Sequence, residues 1–358
     1  MTPLQELLTA FQGSRSSDLH LTPDIVPYIR RHGELIPMPD SRPYSAEEVQ
    51  TMTLELVGKE HFTDFQRDRE LDVAIEFNGD RLRVNLYLQR NRIAWSIRLL
   101  PSELIALDSL GIPLDVLHTV CRMQKGLVLI TGATGAGKTT TLASIIHEIN
   151  RTRHCHIVTI EDPVEYLHPN IRAFVSQREV GTDTNSFEEA LRRILREDPD
   201  VVLIGEMRDQ TTMRAALTLA ETGHLTFGTL HTSEAVQTIT RIIGSFPANE
   251  QEQIRTQLAA TLSLVISQQL VPWQDGNGRS LAAEIMIATP AVKAMIRENK
   301  VHQVASLIQT GQQSGMKTMN ASLLELVRAN KLHPQSAVEW SLEKEDMKRV
   351  LASSGFAP

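Results

Sequence analysis

The sequence has very little cysteine. Only two cysteines occur among 358 residues, Cys121 and Cys155. This number excludes a scaffold held together by several disulfides and a four-cysteine zinc site, and it is typical of a reducing compartment such as the cytosol. The "HCH" stretch at 154–156 puts two histidines on one strand face, but no further ligand lies nearby in the sequence, so we interpret them as structural residues.

Long hydrophobic runs and targeting signals are also lacking. No stretch approaches the ~20 apolar residues that span a bilayer. The longest apolar segment, residues 258–271, is interrupted by Thr, Ser and Gln and predicts a core helix. The N-terminus has no basic start followed by an apolar core, so we expect no signal peptide. We therefore expect a cytoplasmic protein without direct membrane insertion, one that reaches a membrane only through a partner.

The chain carries no excess of basic residues. Its formal net charge is −7, and 41% of its residues are hydrophobic against 22% charged. This composition is typical of a soluble globular protein, and the charge argues against nucleic acid as the partner. The length predicts two or three domains.

The first hundred residues alternate short elements. Residues 2–12 and 45–58 predict helices, and residues 17–21 and 28–35 predict strands. Three further strands are predicted at 71–77, 81–88 and 92–100, joined by turns at "NGD" (78–80) and "RN" (90–91). We expect an antiparallel α+β domain over 1–100 and a linker over 101–113.

From residue 114 the pattern changes to alternating strands and helices. Short, continuously apolar runs at 126–131, 156–160, 201–205 and 225–230 are typical of parallel strands buried on both faces. After residue 247 the signals turn mostly helical. We expect an α/β domain over 114–358 with a helical C-terminal region.

One glycine-rich loop carries the strongest chemical signal. "GATGAGKTT" at 132–140 fits G-x-x-x-x-G-K-[ST] and lies between a predicted strand and a predicted helix. Its backbone N–H groups would cradle the phosphates of ATP, Lys138 would reach the β- and γ-phosphates, and Thr139 would bind Mg²⁺. We assign nucleotide binding to Gly132, Ala133, Thr134, Gly135, Ala136, Gly137, Lys138, Thr139 and Thr140.

Two acidic positions follow neighbouring buried strands. Glu206 comes after the strand at 201–205, where its carboxylate could position or deprotonate the attacking water. The usual aspartate position of that strand holds Gly205, so a second acidic group must help with the metal. Glu161 and Asp162, directly after the 156–160 strand, offer one. The alternative is that these acids only cap the segments that follow them.

Histidines and arginines near these strands leave alternatives open. His224 and His231 bracket the strand at 225–230, where they could sense the γ-phosphate, couple the nucleotide state to a neighbouring domain, or serve as structural residues. The predicted helix at 186–198 carries Arg192, Arg193 and Arg196 on one face. That face is either simply solvated or directs arginines at phosphate across a subunit boundary, and the spacing favours the first.

The motifs in order resemble the secretion-ATPase superfamily of type IV pilus and type II secretion motors, most closely the PilT-like retraction ATPases. The resemblance covers nearly the whole chain and rests on the boxes "SDLHL", "RLRVN", "GATGAGKTTTLA", "TIEDPVEYLH", "QREVG", "LREDPDVVLIGEMRD", "AETGHLTFGTLHT", "ISQQLV" and "GMKTMN". It implies a PAS-like N-terminal domain, a RecA-like motor domain, a homohexamer and a nucleotide bound between the two domains.

The resemblance also implies residue roles. Glu206 would be the catalytic carboxylate, Glu161 part of an acidic box, and His224 and His231 a histidine box. Thr139, Glu161 and Glu206 would serve the metal. Arginines expected to act on the nucleotide are Arg83, Arg98 and, following the catalytic glutamate, Arg208.

The function implied is ATP hydrolysis coupled to type IV pilus retraction through an inner-membrane platform protein. Assembly and secretion motors commonly carry an additional N-terminal domain and a four-cysteine module that this sequence lacks. Against retraction, residues 291–298 read "AVKAMIRE" where the retraction group has a sequence close to A-I-R-N-L-I-R-E. An accessory retraction paralogue acting beside another pilus ATPase, an assembly or secretion ATPase, and a non-hydrolysing regulatory subunit therefore stay open.

Overall fold

The structure is a computed structural model that describes residues 1–14, 16–31, 34–100, 104–276 and 278–357. The chain divides into two compact units, Met1–Glu103 and Leu104–Pro358. The predicted linker begins at residues 101–103, which lie outside the described residues. Residues 104–113 belong to the second unit, where Leu110 and Ile112 are buried in the core.

The first unit combines two helices with an antiparallel sheet. The helices are α1 (Pro3–Gly13) and α2 (Ala46–Asp68). The strands are β1 (Asp18–Leu21), β2 (Tyr28–Arg31), β3 (Glu34–Pro37), β4 (Glu70–Phe77), β5 (Asp80–Gln89) and β6 (Arg92–Leu99). They pair in the order β3-β2-β1-β6-β5-β4. The core lies between the helices and one face of this sheet, around the fully buried Trp95 and Phe11.

Local turn residues explain the β4–β5 and β5–β6 hairpins. Asn78 and Gly79 have φ angles of 51° and 82°, and Arg90 and Asn91 have 52° and 61°. Two consecutive residues with positive φ match the twist of a tight hairpin, so both predicted turns are confirmed. The single strand predicted over 28–35 is wrong: it is two strands, β2 and β3, and residues 32 and 33 between them lie outside the described residues.

The second unit is a three-layer α/β structure. Its strands are β7 (Gly126–Thr131), β8 (His156–Glu161), β9 (Phe174–Glu179), β10 (Val201–Ile204), β11 (Leu225–Leu230), β12 (Leu262–Pro272) and β13 (Arg279–Ile287). The sheet order is β13-β12-β7-β11-β10-β8-β9, and every pairing is parallel except that of β13 with β12. The four predicted parallel strands are confirmed, and their carboxyl ends share one edge.

Helices cover both faces of this sheet. They are α3 (Leu114–Arg122), α4 (Lys138–Thr152), α5 (Phe187–Ile194), α6 (Gln210–Glu221), α7 (Ala235–Gly244), α8 (Gln251–Thr261), α9 (Pro290–Arg297), α10 (Val304–Thr310), α11 (Met319–Arg328), α12 (Pro334–Trp340) and α13 (Lys344–Ser353). Short 3₁₀ turns occur at Leu107–Ser109, Val301–Gln303 and Gln312–Ser314. Two clusters of buried aliphatic side chains pack against the sheet.

The segment at 258–271 corrects one sequence prediction. It is not one helix, because α8 ends at Thr261 and β12 starts at Leu262. The region after 247 is helical only in part, since β12 and β13 complete the sheet before α9. Residues of β12 from Leu262 to Ser267 pair with β7, so tertiary strand pairing decides a stretch whose hydrophobic pattern is ambiguous. None of the helices within the described ranges is long and apolar enough to cross a membrane.

Candidate active site

The phosphate loop lies at the carboxyl end of β7 and leads into α4. Gly132 has a φ of 145°, and a Cβ built there would be 2.4 Å from the carbonyl oxygen of Gln268 on β12. That distance is too short for any side chain, so the loop can run this close to β12 only because residue 132 is glycine. The loop ends at the N-terminus of α4, where free N–H groups and the helix dipole attract anions.

Lys138, the first residue of α4, folds back onto the loop. Its Nζ donates hydrogen bonds to the carbonyl oxygens of Gly132 at 2.8 Å and Ala133 at 2.9 Å. Burial lowers the pKa of this ammonium group, while the carboxylates of Glu206 and Glu165 act in the opposite direction. The ammonium therefore lies over the loop, within electrostatic reach of Glu206.

Glu206 follows β10 by two positions and is held by an arginine and a histidine side chain. One carboxylate oxygen accepts a hydrogen bond from Arg208 Nη2 at 2.8 Å, and the other lies 3.0 Å from His231 Nε2. Burial alone would raise the pKa of Glu206, but the hydrogen bond from Arg208 and the charges of His231, Arg208 and Lys138 outweigh burial and lower it. Glu206 is thus an ionised carboxylate at neutral pH, able to accept a hydrogen bond from water.

Gly205 explains why β10 does not end in an aspartate. Its N–H donates to the carbonyl oxygen of Ile160, and a Cβ would lie 3.2 Å from that oxygen and 3.3 Å from the Cα of Glu161. A side chain at 205 would therefore press against the end of β8. The acidic group at this part of the edge comes from β8 itself.

Glu161 is the last residue of β8 and is buried, with 8% of its surface exposed. Its Oε1 accepts hydrogen bonds from Thr159 Oγ1 at 2.7 Å and Gln177 Nε2 at 3.3 Å. β8 and β10 are neighbours in the sheet, so Glu161 and Glu206 both lie at its carboxyl edge. Asp162 follows Glu161 on the chain at the same edge.

The donors that could serve a metal are oxygen atoms. They are the Thr139 hydroxyl in the first turn of α4 and the carboxylates of Glu161 and Glu206. Oxygen donors suit Mg²⁺ rather than a zinc or iron centre. Among the described residues no group of three or more His, Cys, Asp or Glu side chains could hold a metal ion. A Mg²⁺ ion that binds together with substrate phosphates and water needs only one or two protein ligands.

The two predicted box histidines lie at opposite ends of β11. His231 follows the carboxyl end and contacts Glu206, whereas His224 precedes the amino end. The seven residue steps from one to the other, at ~3.3 Å per residue, put them about 23 Å apart. The Nδ1 of His224 lies 3.0 Å from the carbonyl oxygen of Leu219, so it caps the end of α6. Within the second unit the structure does not bring His224 to the phosphate loop.

Arg83 and Arg98 both belong to the first unit, where each is paired with an acidic side chain. Arg83 Nη2 lies 2.9 Å from an Asp72 carboxylate oxygen, and Arg98 Nε lies 2.8 Å from Asp18 Oδ1. Both arginine side chains keep substantial exposure. Their role toward nucleotide stays a prediction.

The remaining candidates make local contacts. Arg192 pairs with Glu188 at 2.9 Å one helical turn away on α5, while Arg193 and Arg196 are exposed. His156 packs against Phe174 with a ring-centroid distance of 5.0 Å, and its Nε2 lies 3.0 Å from Ser176 Oγ. These contacts fit the structural interpretation of the "HCH" stretch.

Sequence reasoning missed Tyr166 and Gln177. The Tyr166 hydroxyl lies 3.1 Å from Thr140 Oγ1 in the first turn of α4, and Gln177 on β9 contacts Glu161. Both residues belong to motifs of the resemblance, "TIEDPVEYLH" and "QREVG". The alternation of β9 was the available signal, because it places residues 175, 177 and 179 on one face of the strand.

Comparison with known proteins agrees with this architecture. Residues 67–339 match the family described as type II/IV secretion system protein. The chain is 45% identical to a twitching motility protein of Neisseria gonorrhoeae, over 90% of this chain and 86% of that protein. It is 43% identical to the type IV pilus retraction ATPase PilT of Pseudomonas aeruginosa, over 94% of this chain and 97% of that protein.

A solved structure covers the chain almost completely. The crystal structure of the pilus retraction motor PilT with bound ADP superposes with a TM-score of 0.90, at 41% identity, over 98% of this chain and 99% of that one. The mixed α/β fold class that we predicted is confirmed. The chain belongs to the type II/IV secretion system protein family.

Proposed function

We propose that this protein is an ATPase motor that drives the retraction of type IV pili. The observation that carries the ATPase assignment is the ionised Glu206, held at the carboxyl edge of the sheet within electrostatic reach of Lys138. The direction of the motor rests on the likeness, over nearly the full length of both chains, to a twitching motility protein and to pilus retraction motors.

The loop residues bind the phosphates of ATP. The backbone N–H groups of residues 132–137 and the N-terminus of α4 face the anion. Lys138 exchanges its two carbonyl partners, Gly132 and Ala133, for phosphate oxygens. The new hydrogen bonds are charged at both ends and therefore stronger than those they replace.

Glu206 orients the attacking water and accepts its proton as the bond from the water oxygen to the γ-phosphorus forms. The bond between the γ-phosphorus and the β–γ bridging oxygen breaks in the same displacement, and ADP leaves with that oxygen. Arg208 and His231 keep the carboxylate ionised and hold its two oxygens in fixed directions. Because Arg208 is positively charged, it is also placed to respond to the loss of the γ-phosphate charge after hydrolysis. His224 has no part in this chemistry within its own subunit.

Mg²⁺ would be held by the Thr139 hydroxyl with help from Glu161 and Glu206, and when bound it neutralises charge on the phosphates. Arg83 and Arg98 would supply further positive charge from the first unit. To do so, each must leave or share its acidic partner, Asp72 or Asp18.

The motor would act as a homohexamer at the cytoplasmic face of the inner membrane, docked on a platform protein. Hydrolysis would shift the first unit relative to the second, and strokes around the ring would turn the platform so that pilin subunits leave the pilus. An accessory role beside a second pilus ATPase is the other candidate. It is favoured by the departure at Lys293 and Ala294 on α9 from the retraction group's motif.

The experiment is to replace Glu206 by Gln at the native locus, then count surface pili and measure ATP turnover of the purified protein. Cells with excess pili that no longer retract, together with lost turnover and retained ATP binding, are the expected result. Bald cells would mean that the motor assembles pili. An unchanged pilus count with lost turnover would favour the accessory role, and unchanged turnover would refute the role of Glu206.

A further inference from the structure

Gln177, on the edge strand β9, contacts three parts of the segment that carries the acidic box. Its side-chain Nε2 lies 3.3 Å from Glu161 Oε1 and 2.8 Å from the carbonyl oxygen of Tyr166. Its Oε1 accepts a hydrogen bond from the backbone N–H of His168 at 2.7 Å. The Gln177 amide therefore bonds to the Glu161 carboxylate, to a backbone carbonyl at residue 166 and to a backbone N–H at residue 168.

The strand register explains why the amide reaches Glu161. β9 pairs with β8 in parallel, and Gln177 lies opposite Thr159. Thr159 Oγ1 donates to the same carboxylate oxygen, at 2.7 Å. Two neutral donors from adjacent strands thus converge on one oxygen of a buried carboxylate, which limits the directions that the carboxylate can take.

The same segment is tied to the phosphate-loop helix. The Tyr166 hydroxyl lies 3.1 Å from Thr140 Oγ1, one residue after the predicted Mg²⁺ ligand Thr139. At its other end, the N–H of Val164 donates to Glu179 Oε2 on β9 at 3.0 Å. The segment at 162–168 is therefore fixed between β9 and the first turn of α4.

We propose that Gln177 is a positioning residue for ATP hydrolysis: it orients the Glu161 carboxylate and, through Tyr166, sets its place relative to the first turn of α4. The proposal rests on the role of Glu161 given under the proposed function. Only a primary amide of this length supplies donors to Glu161 and to the Tyr166 carbonyl while accepting from His168. Methionine keeps the length but loses all three hydrogen bonds, and glutamate keeps only the acceptor.

The test is ATP turnover of the full-length protein carrying Gln177→Met or Gln177→Glu, measured over a range of Mg²⁺ concentrations. Loss of a group that orients a metal-site ligand typically lowers activity or metal affinity by about 10- to 100-fold. We expect a loss of turnover of that size in both variants and a higher Mg²⁺ concentration for half-maximal rate. The apparent affinity for ATP should change much less.

A double-mutant cycle separates positioning from a general structural role. If Gln177 acts through Glu161, then in a Glu161→Gln background Gln177→Met should cost less than about twofold in single-turnover rate. The matched control is Ser176→Ala, which removes one side-chain contact, that with His156, from the same strand but from its other face. Its turnover and Mg²⁺ dependence should stay at the wild-type level.

Several outcomes would overturn the proposal. Full turnover in both Gln177 variants while Glu161→Gln is inactive would refute it and leave the proposed function intact. Equal losses from Gln177→Met with and without Glu161, or loss of the folded state in both single variants, would show that Gln177 is only structural. A fully active Glu161→Gln would instead refute the role assigned to Glu161 on which the proposal rests.

Discussion

Gly132→Ala should destabilise the second unit through close contacts of the added Cβ, and Gly135→Ala in the same loop is its matched control. At residue 132 an added Cβ would lie 2.4 Å from the Gln268 carbonyl oxygen and 2.9 Å from the Ala136 Cβ. At residue 135 a Cβ would meet nothing within 4 Å. Both glycines have positive φ, 145° and 78°, so both substitutions carry backbone strain.

The structure gives the size of the difference. Strain at an unfavourable φ costs on the order of 1–3 kcal/mol, and this applies to both variants. Only Gly132→Ala also forces β12 and the loop apart, and overpacking of a tight site costs roughly 1–3 kcal/mol more. The clash involves backbone of the central sheet, so no side chain can rotate away from it. We therefore expect Gly132→Ala to lose about 2–6 kcal/mol and Gly135→Ala about 1–3 kcal/mol in the free energy of unfolding.

Urea unfolding of the nucleotide-free protein, followed by far-ultraviolet circular dichroism, measures both values. The absence of ligand matters, because bound nucleotide would add its own stabilisation. The slope against urea should be the same in wild type and variants, so that a shifted midpoint reports stability. Equal losses for the two variants would refute the reasoning, since the contacts with Gln268 and Ala136 at residue 132 are the features that distinguish them.

Three further substitutions test other contacts. Arg208→Ala removes the hydrogen bond that lowers the pKa of Glu206, so the acid limb of the pH–turnover profile should move to higher pH; an unmoved limb would contradict this. Burial raises the pKa of Glu284 to about 7 from 4.5, so the folded state binds its proton more tightly and the wild type should lose stability as pH rises from 4.5 to 7. Thermal unfolding across that pH range should show a smaller loss of stability in Glu284→Gln than in the wild type. Parallel stability curves for the two proteins would contradict this prediction. The buried Trp95 Nε1 lies 2.9 Å from Thr53 Oγ1, its hydrogen-bond acceptor. Thr53→Val removes this acceptor and should lower the free energy of unfolding in urea by about 1–3 kcal/mol. Thr53→Ser keeps the hydroxyl and should keep most of that stability.

Local signals predicted the parts of the fold that depend on local chemistry. The Asn78–Gly79 turn could be predicted because positive φ at two consecutive residues is available to few residue types. The phosphate loop could be predicted because the spacing of its glycines and the Lys138 that follows them are together typical of a loop that binds nucleotide phosphates. Neither prediction depends on which residues pack against the segment.

Predictions failed where distant contacts decide the structure. The run at 258–271 is mostly apolar with Thr, Ser and Gln interruptions, and its change from helix to strand at Leu262 comes from pairing with β7. His224 was grouped with His231 because both flank one strand. A parallel strand, however, sends its two ends to opposite edges of the sheet, so only the histidine after the strand reaches the phosphate edge. The direction of β11 was implicit in the predicted α/β pattern, whereas the role of His224 toward nucleotide stays a prediction.

The Gly205–Glu206 ending of β10 shows how neighbouring strands constrain each other's chemistry. Because β8 passes within 3.3 Å of where a Cβ on residue 205 would lie, β10 cannot carry an acidic side chain there without displacing β8. The carboxylate is instead provided by Glu161 of β8, buried and held by donors from Thr159 and from Gln177 of β9. Gly205 and Gln177 thus both determine where the Glu161 carboxylate lies, since Gly205 makes room for it and Gln177 fixes its direction. A bulky residue at 205 and the loss of the amide at 177 should therefore impair the same step, although residue 205 follows β10, residue 177 lies on β9, and β8 runs between these two strands.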